Sequence, residues 1–294
     1  MGNSFHVQIL DHGYLKLVDS MGTEESIIEA ARMSTGRGFE GWGPGYVCSH
    51  CRIRQGTGQE FLSTGDGRTH HAHNWEPTKG DARLLARLYK DQHSTPFEMC
   101  QLVVEVQAPI MVFREWHRHR TQSFNEMSAR YVQMPNLHYV PEPSRIQAQS
   151  ATNKQGSGAS LPDDIGRKIA DDLAVEQAEI YEHYDDLIDA GVAREIARLN
   201  TPVSRYSRMR ASSNLRNWLH FLHLRMAPGA QWEIRQYANA VAEVIKVLWP
   251  RTYSLFEEHT LGAVTLSRSQ AAKLAGQLDC EVADLNKKLE EPTP

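Results

Sequence analysis

The order of the sequence patterns predicts an α+β fold, with a β-sheet formed early in the chain and a mostly helical C-terminal half. Short runs of alternating or β-branched side chains, which are typical of strands, occur before residue 110. Beyond residue 160, apolar residues recur every three or four positions, which is typical of amphipathic helices. We find no internal repeat in the sequence. Strands early and helices late together predict one α+β domain.

The N-terminal third supplies the predicted strands and three predicted helices. The strands are Phe5–Leu10, Tyr14–Asp19 and Gln101–Val106. Thr23 is expected to cap a helix that includes Ser26–Ala31, because its hydroxyl can accept a hydrogen bond from the first turn. Apolar residues at helical spacing predict a second helix over Asp81–Gln92. Pro109 fits the first turn of a third helix that runs through Trp116.

Three segments lack periodicity and are expected to be irregular. Gly36–Gly80 is rich in glycine, polar residues and histidine, which predicts a long loop or a small insertion. Arg118–Arg130 is polar and is also expected to be irregular. Pro141–Pro162 contains a run of glycine, serine and amide side chains, which predicts a mobile loop.

The C-terminal half is predicted to be helical. A long helix over Asp163–Ala190 precedes a short one over Val192–Leu199, which ends before Pro202. A third helix spans Leu215–Arg225, and the fourth has one face formed by Ile234, Tyr237, Val241, Val244, Ile245 and Leu248. The tail from Ser267 to Glu291 is expected to form a last amphipathic helix. We therefore expect one domain over residues 1–294, with an insertion at about 36–80 and an extension at about 265–294.

The composition is that of a globular protein and argues against several other classes. Hydrophobic residues make up 40% of the 294 residues and charged residues 23%. No apolar run approaches the roughly 18 residues that a membrane span needs, and residues 1–10 do not resemble a secretory signal. We therefore expect a cytoplasmic protein. The four scattered cysteines are too few for a disulfide framework.

Arginine is concentrated in two clusters, although the net charge is −4. The first cluster contains Arg114, Arg118, Arg120 and Arg130, and the second contains Arg194, Arg198, Arg205, Arg208, Arg210, Arg216 and Arg225. The net charge argues against a general polyanion binder. Solvated helix faces are the simpler interpretation of any single arginine. Because guanidinium groups hold phosphate bidentately, the two clusters together predict a defined phosphate site.

The segment from Arg118 to Arg130 carries the densest set of chemical groups. It reads Arg-His-Arg-Thr-Gln-Ser-Phe-Asn-Glu-Met-Ser-Ala-Arg, so guanidinium, imidazole, amide, carboxylate and hydroxyl groups all lie within thirteen residues. Glu126 could accept a hydrogen bond from a ribose hydroxyl or orient an arginine. This density by itself leaves two interpretations open, a nucleotide site and a solvated loop.

The same segment also carries a family resemblance. Arg118-His119-Arg120, followed after seven residues by Ser128, matches the signature of the flavin-dependent thymidylate synthases, and Asn125, Glu126 and Arg130 fit its wider form. Other segments that resemble the family occur in the expected order, namely Asp11-His12-Gly13-Tyr14, Ala30-Ala31-Arg32, His93-Ser94-Thr95-Pro96-Phe97-Glu98, Arg194-Glu195-Ile196-Ala197-Arg198 and Ala230-Gln231-Trp232-Glu233. The likeness therefore extends over most of the chain.

The resemblance implies a homotetramer that binds FAD where subunits meet. The implied flavin contacts are Thr95, Arg118, His119, Arg120, Glu126, Asn214, Leu215, Arg216 and His220. The implied nucleotide contacts are Glu115, Trp116, His117, Arg118, Glu126, Met127, Ser128, Ala129, Arg130, Arg198 and Arg225. Ser128 and Arg130 are the expected phosphate contacts, and Arg198 and Arg225 complete the pocket from other segments.

The implied reaction is reductive methylation of uracil at C5, which converts dUMP to dTMP. Methylenetetrahydrofolate is the implied carbon donor and NADPH the implied reductant. C5 is a poor nucleophile, and this family activates it without a cysteine. The resemblance assigns the catalytic role to Arg225, whose guanidinium near the uracil N3–O4 edge would favour the anionic ring. Ser128 is interpreted as a ligand, because no base is paired with it.

Departures from the family pattern leave the substrate open. Glu115 stands where glutamine is common, His220 where asparagine is common, and Gly229 where some relatives have histidine. The alternatives are the same chemistry on UMP in a nucleoside-antibiotic pathway, or hydroxymethyl transfer to a pyrimidine nucleotide.

Two functions of other classes are an RNA-binding module and a scaffold that only retains the fold. Aromatic residues are not interleaved with the arginines as stacking on RNA would require, so we expect no nucleic acid partner.

The predicted insertion contains a possible zinc motif. Cys48 and Cys51 are followed by His70 and His73, and all four could be ligands of a structural zinc ion. The histidine spacing is shorter than usual for such sites. A histidine-rich surface loop is the simpler interpretation, so we expect no metal.

Overall fold

The computed structural model describes residues 5–48, 54–56 and 75–277 of the chain. The chain forms two compact units, Met1–Phe256 and Glu257–Pro294. The second unit begins with a π-helical turn, Glu257–Leu261. In the part of the chain that the structure describes, no helix has both the length and the apolar character needed to cross a membrane.

Nine of the ten described strands lie before residue 161, and the three longest described helices lie after it. The strands are β1 (His6–Ile9), β2 (Gly13–Met21), β3 (Gly45–Cys48), β4 (Arg54–Gly56), β5 (Trp75–Thr78), β6 (Gln101–Pro109), β7 (Ser123–Glu126), β8 (Gln147–Gln149), β9 (Ser157–Ser160) and β10 (Tyr206–Asn214). The helices are α1 (Glu24–Arg32), α2 (Ala82–Lys90), α3 (Ile110–Trp116), α4 (Asp163–Asp189), α5 (Arg194–Ala197), α6 (Leu215–Arg225), α7 (Trp232–Leu248), α8 (Pro250–Phe256) and α9 (Arg268–Gln277). The α+β prediction is confirmed.

The main sheet has five antiparallel strands in the order β1-β2-β6-β10-β7. β6 and β10 pair along their whole length, from Pro109 opposite Tyr206 to Gln101 opposite Asn214. Val104 and Val106 of β6 are fully buried, whereas their neighbours along the strand, Val103, Glu105 and Gln107, are only partly buried. One face of the sheet therefore carries the core, because alternate side chains of a strand point to opposite faces.

The core lies between the sheet and the helices of the first unit, and it is rich in aromatic side chains. Trp116 at the end of α3 packs against Phe221 of α6, with ring centroids 4.7 Å apart, and approaches Trp218 edge-on at 6.3 Å. Tyr237 of α7 is also fully buried and donates a hydrogen bond to the carbonyl of Gln107 in β6. This aromatic packing holds α3 and α6 close together, and the candidate site lies at their ends.

The sequence missed the two strands nearest the site. The segment before α6 was predicted to be helical, but Tyr206–Asn214 forms the inner strand β10. Buried and exposed side chains alternate along β10, because Met209 and Ala211 are buried while Arg208 and Arg210 are exposed. Serine, alanine and asparagine give it little β-propensity, so only pairing with β6 makes it a strand.

The other differences are local. Arg118–Arg130 was expected to be irregular, but it contains β7, which pairs with β10 from Ser123 opposite Ser212 to Glu126 opposite Met209. Pro109 is the last residue of β6 and the N-cap of α3, not a first-turn residue. Thr23 caps α1 as predicted, and its side chain accepts a hydrogen bond from the Ser26 N–H.

Two segments predicted to be loops contain small sheets. The insertion holds the three-stranded sheet β4-β3-β5, and the glycine- and serine-rich loop folds as the hairpin β8–β9. Cys48 is buried at the end of β3, whereas Cys51, His70 and His73 lie outside the described residues. The predicted last helix begins as α9, and residues beyond 277 also lie outside the described part.

Candidate active site

The turn after α3 is fixed by Trp116. The backbone N–H of His119 donates to the Trp116 carbonyl at 2.9 Å, and the Gln122 N–H donates to the His119 carbonyl at 3.1 Å. The buried Trp116 indole N–H donates to the Gln122 side-chain oxygen at 2.9 Å. Both ends of the turn are thus anchored to the core, and Arg118 and Arg120 between them are exposed.

Arg225, the last residue of α6, is held by two residues of the α3 region. Its Nε donates to Nε2 of His119 at 2.9 Å. Nη1 donates to Oε2 of Glu115 at 3.2 Å, and Nη2 donates to the Glu115 carbonyl at 3.1 Å. All three guanidinium nitrogens are engaged, so the plane of the group is fixed. We call this arrangement the Arg225 clamp.

The electrostatics of the clamp depend on burial. The pKa of His119 is lowered to about 4, first by burial and then by the charges of Arg225 and His220. His119 is therefore neutral near pH 7, as its acceptor role toward Arg225 requires. Burial also raises the pKa of Glu115 above its ordinary value, although the neighbouring Arg225 opposes the shift. The sequence did not indicate which group Glu115 binds. In the structure its partner is Arg225.

A cavity of about 300 Å³ lies beside α3 and β7. Its lining residues come from α3, the following turn, the end of β7, the segment after α5 and the residue before β10: Ile110, Phe113, Arg114, His117, Glu126, Met127, Ala129, Arg198 and Arg205. Five of these, His117, Glu126, Met127, Ala129 and Arg198, are predicted nucleotide contacts. We call it the arginine-lined cavity, because three guanidinium groups and one carboxylate contribute its charges.

The predicted phosphate ligands lie just after β7. The Ser128 hydroxyl accepts a hydrogen bond from the Arg130 N–H at 3.2 Å. The Arg130 side chain is 58% exposed and pairs with Glu195 at 3.2 Å between Nη2 and Oε2. An exposed pair of this kind contributes little to stability, so an anionic ligand can compete for Arg130 at small cost.

The predicted flavin contacts lie on four separate parts of the chain: the 3₁₀ turn at Thr95, the turn after α3, the end of β7, and α6 with its N-cap. Thr95 begins a 3₁₀ turn that also contains Glu98, and Glu98 pairs with Arg216 of α6 at 2.7 Å. Asn214 is the N-cap of α6, and its side-chain oxygen accepts from the Asn217 N–H at 3.0 Å. His220 is exposed one turn further along α6, with its ring 6.4 Å from that of His119.

Two predicted contacts have side chains that are fully buried in the core, Trp116 and Leu215. The Trp116 carbonyl accepts from His119, and the Leu215 N–H donates to the Cys100 carbonyl at 2.8 Å. Neither side chain is open to a ligand, and these two backbone groups are already hydrogen-bonded within the protein. Arg205 is a charged cavity residue absent from the predicted contacts. It was visible only as a member of the second arginine cluster, since its burial depends on tertiary structure.

The fold and the site together define an α+β protein in which arginine side chains from several elements surround a small cavity. The family described as thymidylate synthase complementing protein matches residues 16–251. The flavin-dependent thymidylate synthase of a Thermus thermophilus strain is 38% identical over 276 residues, which cover 94% of this chain and 87% of the relative. That of Anaplasma marginale (strain St. Maries) is 36% identical over 263 residues, covering 90% and 78%.

Solved structures with a similar fold and sequence include a nucleotide methylase. A UMP/dUMP methylase from Streptomyces cacaoi bound with 5-Br dUMP is 28% identical with a TM-score of 0.66, covering 86% of this chain and 98% of that chain. The same methylase bound with 5-Br UMP has a TM-score of 0.67. The chain belongs to the flavin-dependent thymidylate synthase family, so the resemblance seen in the signature motif is confirmed. The protein is accordingly an enzyme of the methyltransferase class.

Proposed function

We propose that the protein converts dUMP to dTMP by reductive methylation at C5. FAD is the cofactor, methylenetetrahydrofolate the carbon donor and NADPH the reductant. The enzyme acts as a homotetramer with its sites at subunit interfaces. The single observation that carries this proposal is the Arg225 clamp, which presents a fixed guanidinium group from a helix end.

The clamp leaves Arg225 able to bind a substrate. A guanidinium group has five N–H donors. The clamp uses one on each nitrogen, so one N–H on Nη1 and one on Nη2 remain. These remaining N–H donors can serve the N3–O4 edge of a deprotonated uracil ring, where both atoms accept hydrogen bonds. Because the group is already fixed, it stabilises negative charge on the ring without reorganising during the reaction.

The remaining nucleotide contacts follow from position. Ser128 and Arg130 bind the phosphate, and Arg198 reaches it from the wall of the arginine-lined cavity. Glu126 lines the same cavity and can accept from a ribose hydroxyl, because an ionised carboxylate is an acceptor only. Among the described residues no ion pair engages Arg198, so its charge is available to the phosphate.

The flavin contacts fit a diphosphate-containing cofactor. Arg118 and Arg120 are exposed on the fixed turn after α3, and no described carboxylate pairs with either. Two cations without a carboxylate partner in the described part of the chain suit the diphosphate of FAD. Thr95, Asn214, Arg216 and His220 would add polar contacts from other elements. When bound, FAD supplies the reducing equivalents that turn the transferred methylene carbon into a methyl group.

Methylation of UMP is the second candidate. The observation that favours it is the similarity to a methylase solved with both 5-Br dUMP and 5-Br UMP. In addition, Glu115 forms part of the clamp where the family commonly has glutamine. A carboxylate in place of an amide changes the hydrogen-bonding groups beside the nucleotide. Such groups influence whether the enzyme selects dUMP or UMP.

One assay separates the two candidates. The purified protein is incubated with NADPH, methylenetetrahydrofolate and either dUMP or UMP, and the nucleotide product is identified by mass. We expect dTMP from dUMP at a rate well above that from UMP. Preferential methylation of UMP would establish the second candidate. No methylation of either nucleotide by flavin-loaded protein would refute both.

A further inference from the structure

Arg205 is a buried cation whose side chain lacks a matching partner among the described residues. It lies just before β10 and is only 8% exposed. Its Nε and Nη1 are buried and form no hydrogen bond with any described residue. Burying an unpaired charged group is expensive, so natural proteins pair such groups or bind a ligand to them.

The position of Arg205 is fixed by its backbone. Its N–H donates to the Pro202 carbonyl at 3.1 Å, and its carbonyl accepts from the Ile110 N–H at 3.0 Å. It also forms an isolated antiparallel bridge with His138. These contacts tie Arg205 to the start of α3 and to the segment between β7 and β8. The side chain is therefore presented from a rigid frame.

Within the described part of the chain, no group forms an ion pair with the Arg205 side chain or a hydrogen bond with its Nε or Nη1. His138 is buried beside it, but burial and the Arg205 charge lower the pKa of His138, so the ring is neutral or repelled by Arg205. The charge of Glu126 opposes the effect of burial on the pKa of Arg205, but Glu126 forms no hydrogen bond with Nε or Nη1 of Arg205. Burial is the main cause that lowers the pKa of Arg205, and the charge of Arg198 adds to it. The site thus favours an anion.

The arginine-lined cavity is where that anion fits. Arg205, Arg198 and Arg114 contribute three positive charges to its wall and Glu126 contributes one negative charge. The Ala129 wall places the cavity next to Ser128 and Arg130, the two residues to which the proposed function assigns the phosphate. The volume of about 300 Å³ is sufficient for a phosphate group with part of a sugar.

We propose that Arg205 binds the 5′-phosphate of the nucleotide, as a ligand outside the Arg-His-Arg…Ser signature. The inference rests on the proposed function, whose site it deepens. The phosphate completes the hydrogen bonds of Nε and Nη1, and the buried position makes these charge-assisted bonds stronger than those of the exposed Arg130.

The test compares Arg205→Met with Arg210→Met. Arg210 lies on β10 but is exposed and pairs with Glu105, so it is a matched control outside the cavity. Flavin content and the affinities for dUMP and for deoxyuridine, which lacks the phosphate, are measured for each holoenzyme. We expect Arg205→Met to weaken dUMP binding by roughly tenfold to a hundredfold, while deoxyuridine affinity and flavin content stay at parental values. Arg210→Met should match the parent throughout.

Thermal unfolding without nucleotide provides the second readout. Methionine fills the space of the arginine stem without an unpaired charge, so the Tm of Arg205→Met should equal or exceed that of the parent. A lower Tm would mean that Arg205 serves the fold, and the proposal would be wrong. An equal loss of dUMP and deoxyuridine affinity would also overturn the proposal. So would a loss of flavin with dUMP affinity retained, because the anion bound by Arg205 would then belong to the cofactor.

The proposed function can fail separately. If the parent protein binds neither nucleotide, inorganic phosphate becomes the probe, and its effect on Tm is compared between parent and Arg205→Met. Stabilisation of the parent alone supports an anion site at Arg205 while the dUMP assignment is lost. No stabilisation of either protein refutes the anion site as well.

Discussion

Acid should destabilise the folded protein through His119, because the clamp needs its neutral imidazole. The pKa of His119 falls from 6.5 to about 4 on folding, since the ring is buried and lies beside Arg225. As the pH drops through this window, the unfolded chain takes up a proton at His119 and the folded chain does not. The depressed pKa therefore means that stability is fully present above about pH 6.5 and is lost toward pH 4.

The size of the effect follows from the same shift. A change of about 2.5 pKa units corresponds to roughly 3 kcal/mol, with a maximum slope of about 1.4 kcal/mol per pH unit. His119 is only 7% exposed, so solvent screening reduces this figure little. His119→Gln keeps an acceptor for the Arg225 Nε but cannot titrate. The parent should therefore lose about 3 kcal/mol more than this variant between pH 7 and pH 4.

The assay is urea unfolding at pH 7, 6, 5 and 4, with protomer and flavin concentrations held constant because assembly and ligand binding affect stability. His223→Gln is the matched control, since His223 is an exposed histidine of α6, the helix that carries Arg225, and forms no bond in the Arg225 clamp. The control should follow the parent at every pH. A constant difference between parent and His119→Gln from pH 7 to pH 4 would refute the argument.

Three further substitutions test the assigned roles. Arg225→Ala should slow methyl transfer by roughly a hundredfold, the loss typical of one oxyanion donor, while stopped-flow absorbance shows flavin reduction by NADPH continuing; an unchanged methylation rate would exclude Arg225 as the activating group. Arg130→Lys keeps the charge but loses the planar fork, so calorimetric titration should find dUMP affinity reduced by about tenfold or more; full affinity would mean that Arg130 only pairs with Glu195. Arg120→Ala should lose flavin absorbance with unchanged circular dichroism, and full flavin occupancy would contradict its assignment.

Local sequence was sufficient wherever a structure depends on neighbouring residues. The bounds of α6, Leu215–Arg225, are those predicted, and α4 begins at the predicted Asp163 and ends at Asp189, one residue short of the prediction. The Thr23 cap is also local, because its partner Ser26 is three residues away. Helix spacing and capping act within a turn or two, so they can be read along the chain. The Arg-His-Arg signature likewise identified the family.

Strand pairing was decided by tertiary structure. β10 has a weak alternation and poor strand formers, and it becomes a strand because β6 and β7 pair with its two edges. Both partners lie far earlier in the chain, so no pattern near β10 indicates them. β-propensity reflects the pairing and burial that a strand finds in its sheet, which explains why composition misled the prediction here.

The side-chain contacts of the site also required the folded chain. The sequence named Arg225, Glu115 and His119, but Arg225 and Glu115 are separated by 110 positions, so no local pattern shows that they form one clamp. It placed Arg205 in a cluster of arginines without distinguishing it from exposed Arg210. Residue type and spacing determined which family the chain belongs to and which groups could react. Packing determined that Arg225 is held in the clamp, that Arg210 is exposed, and that Arg205 is buried with no hydrogen-bond partner for Nε and Nη1 in the described part of the chain. Only the folded chain could decide this, because burial depends on segments far apart in sequence.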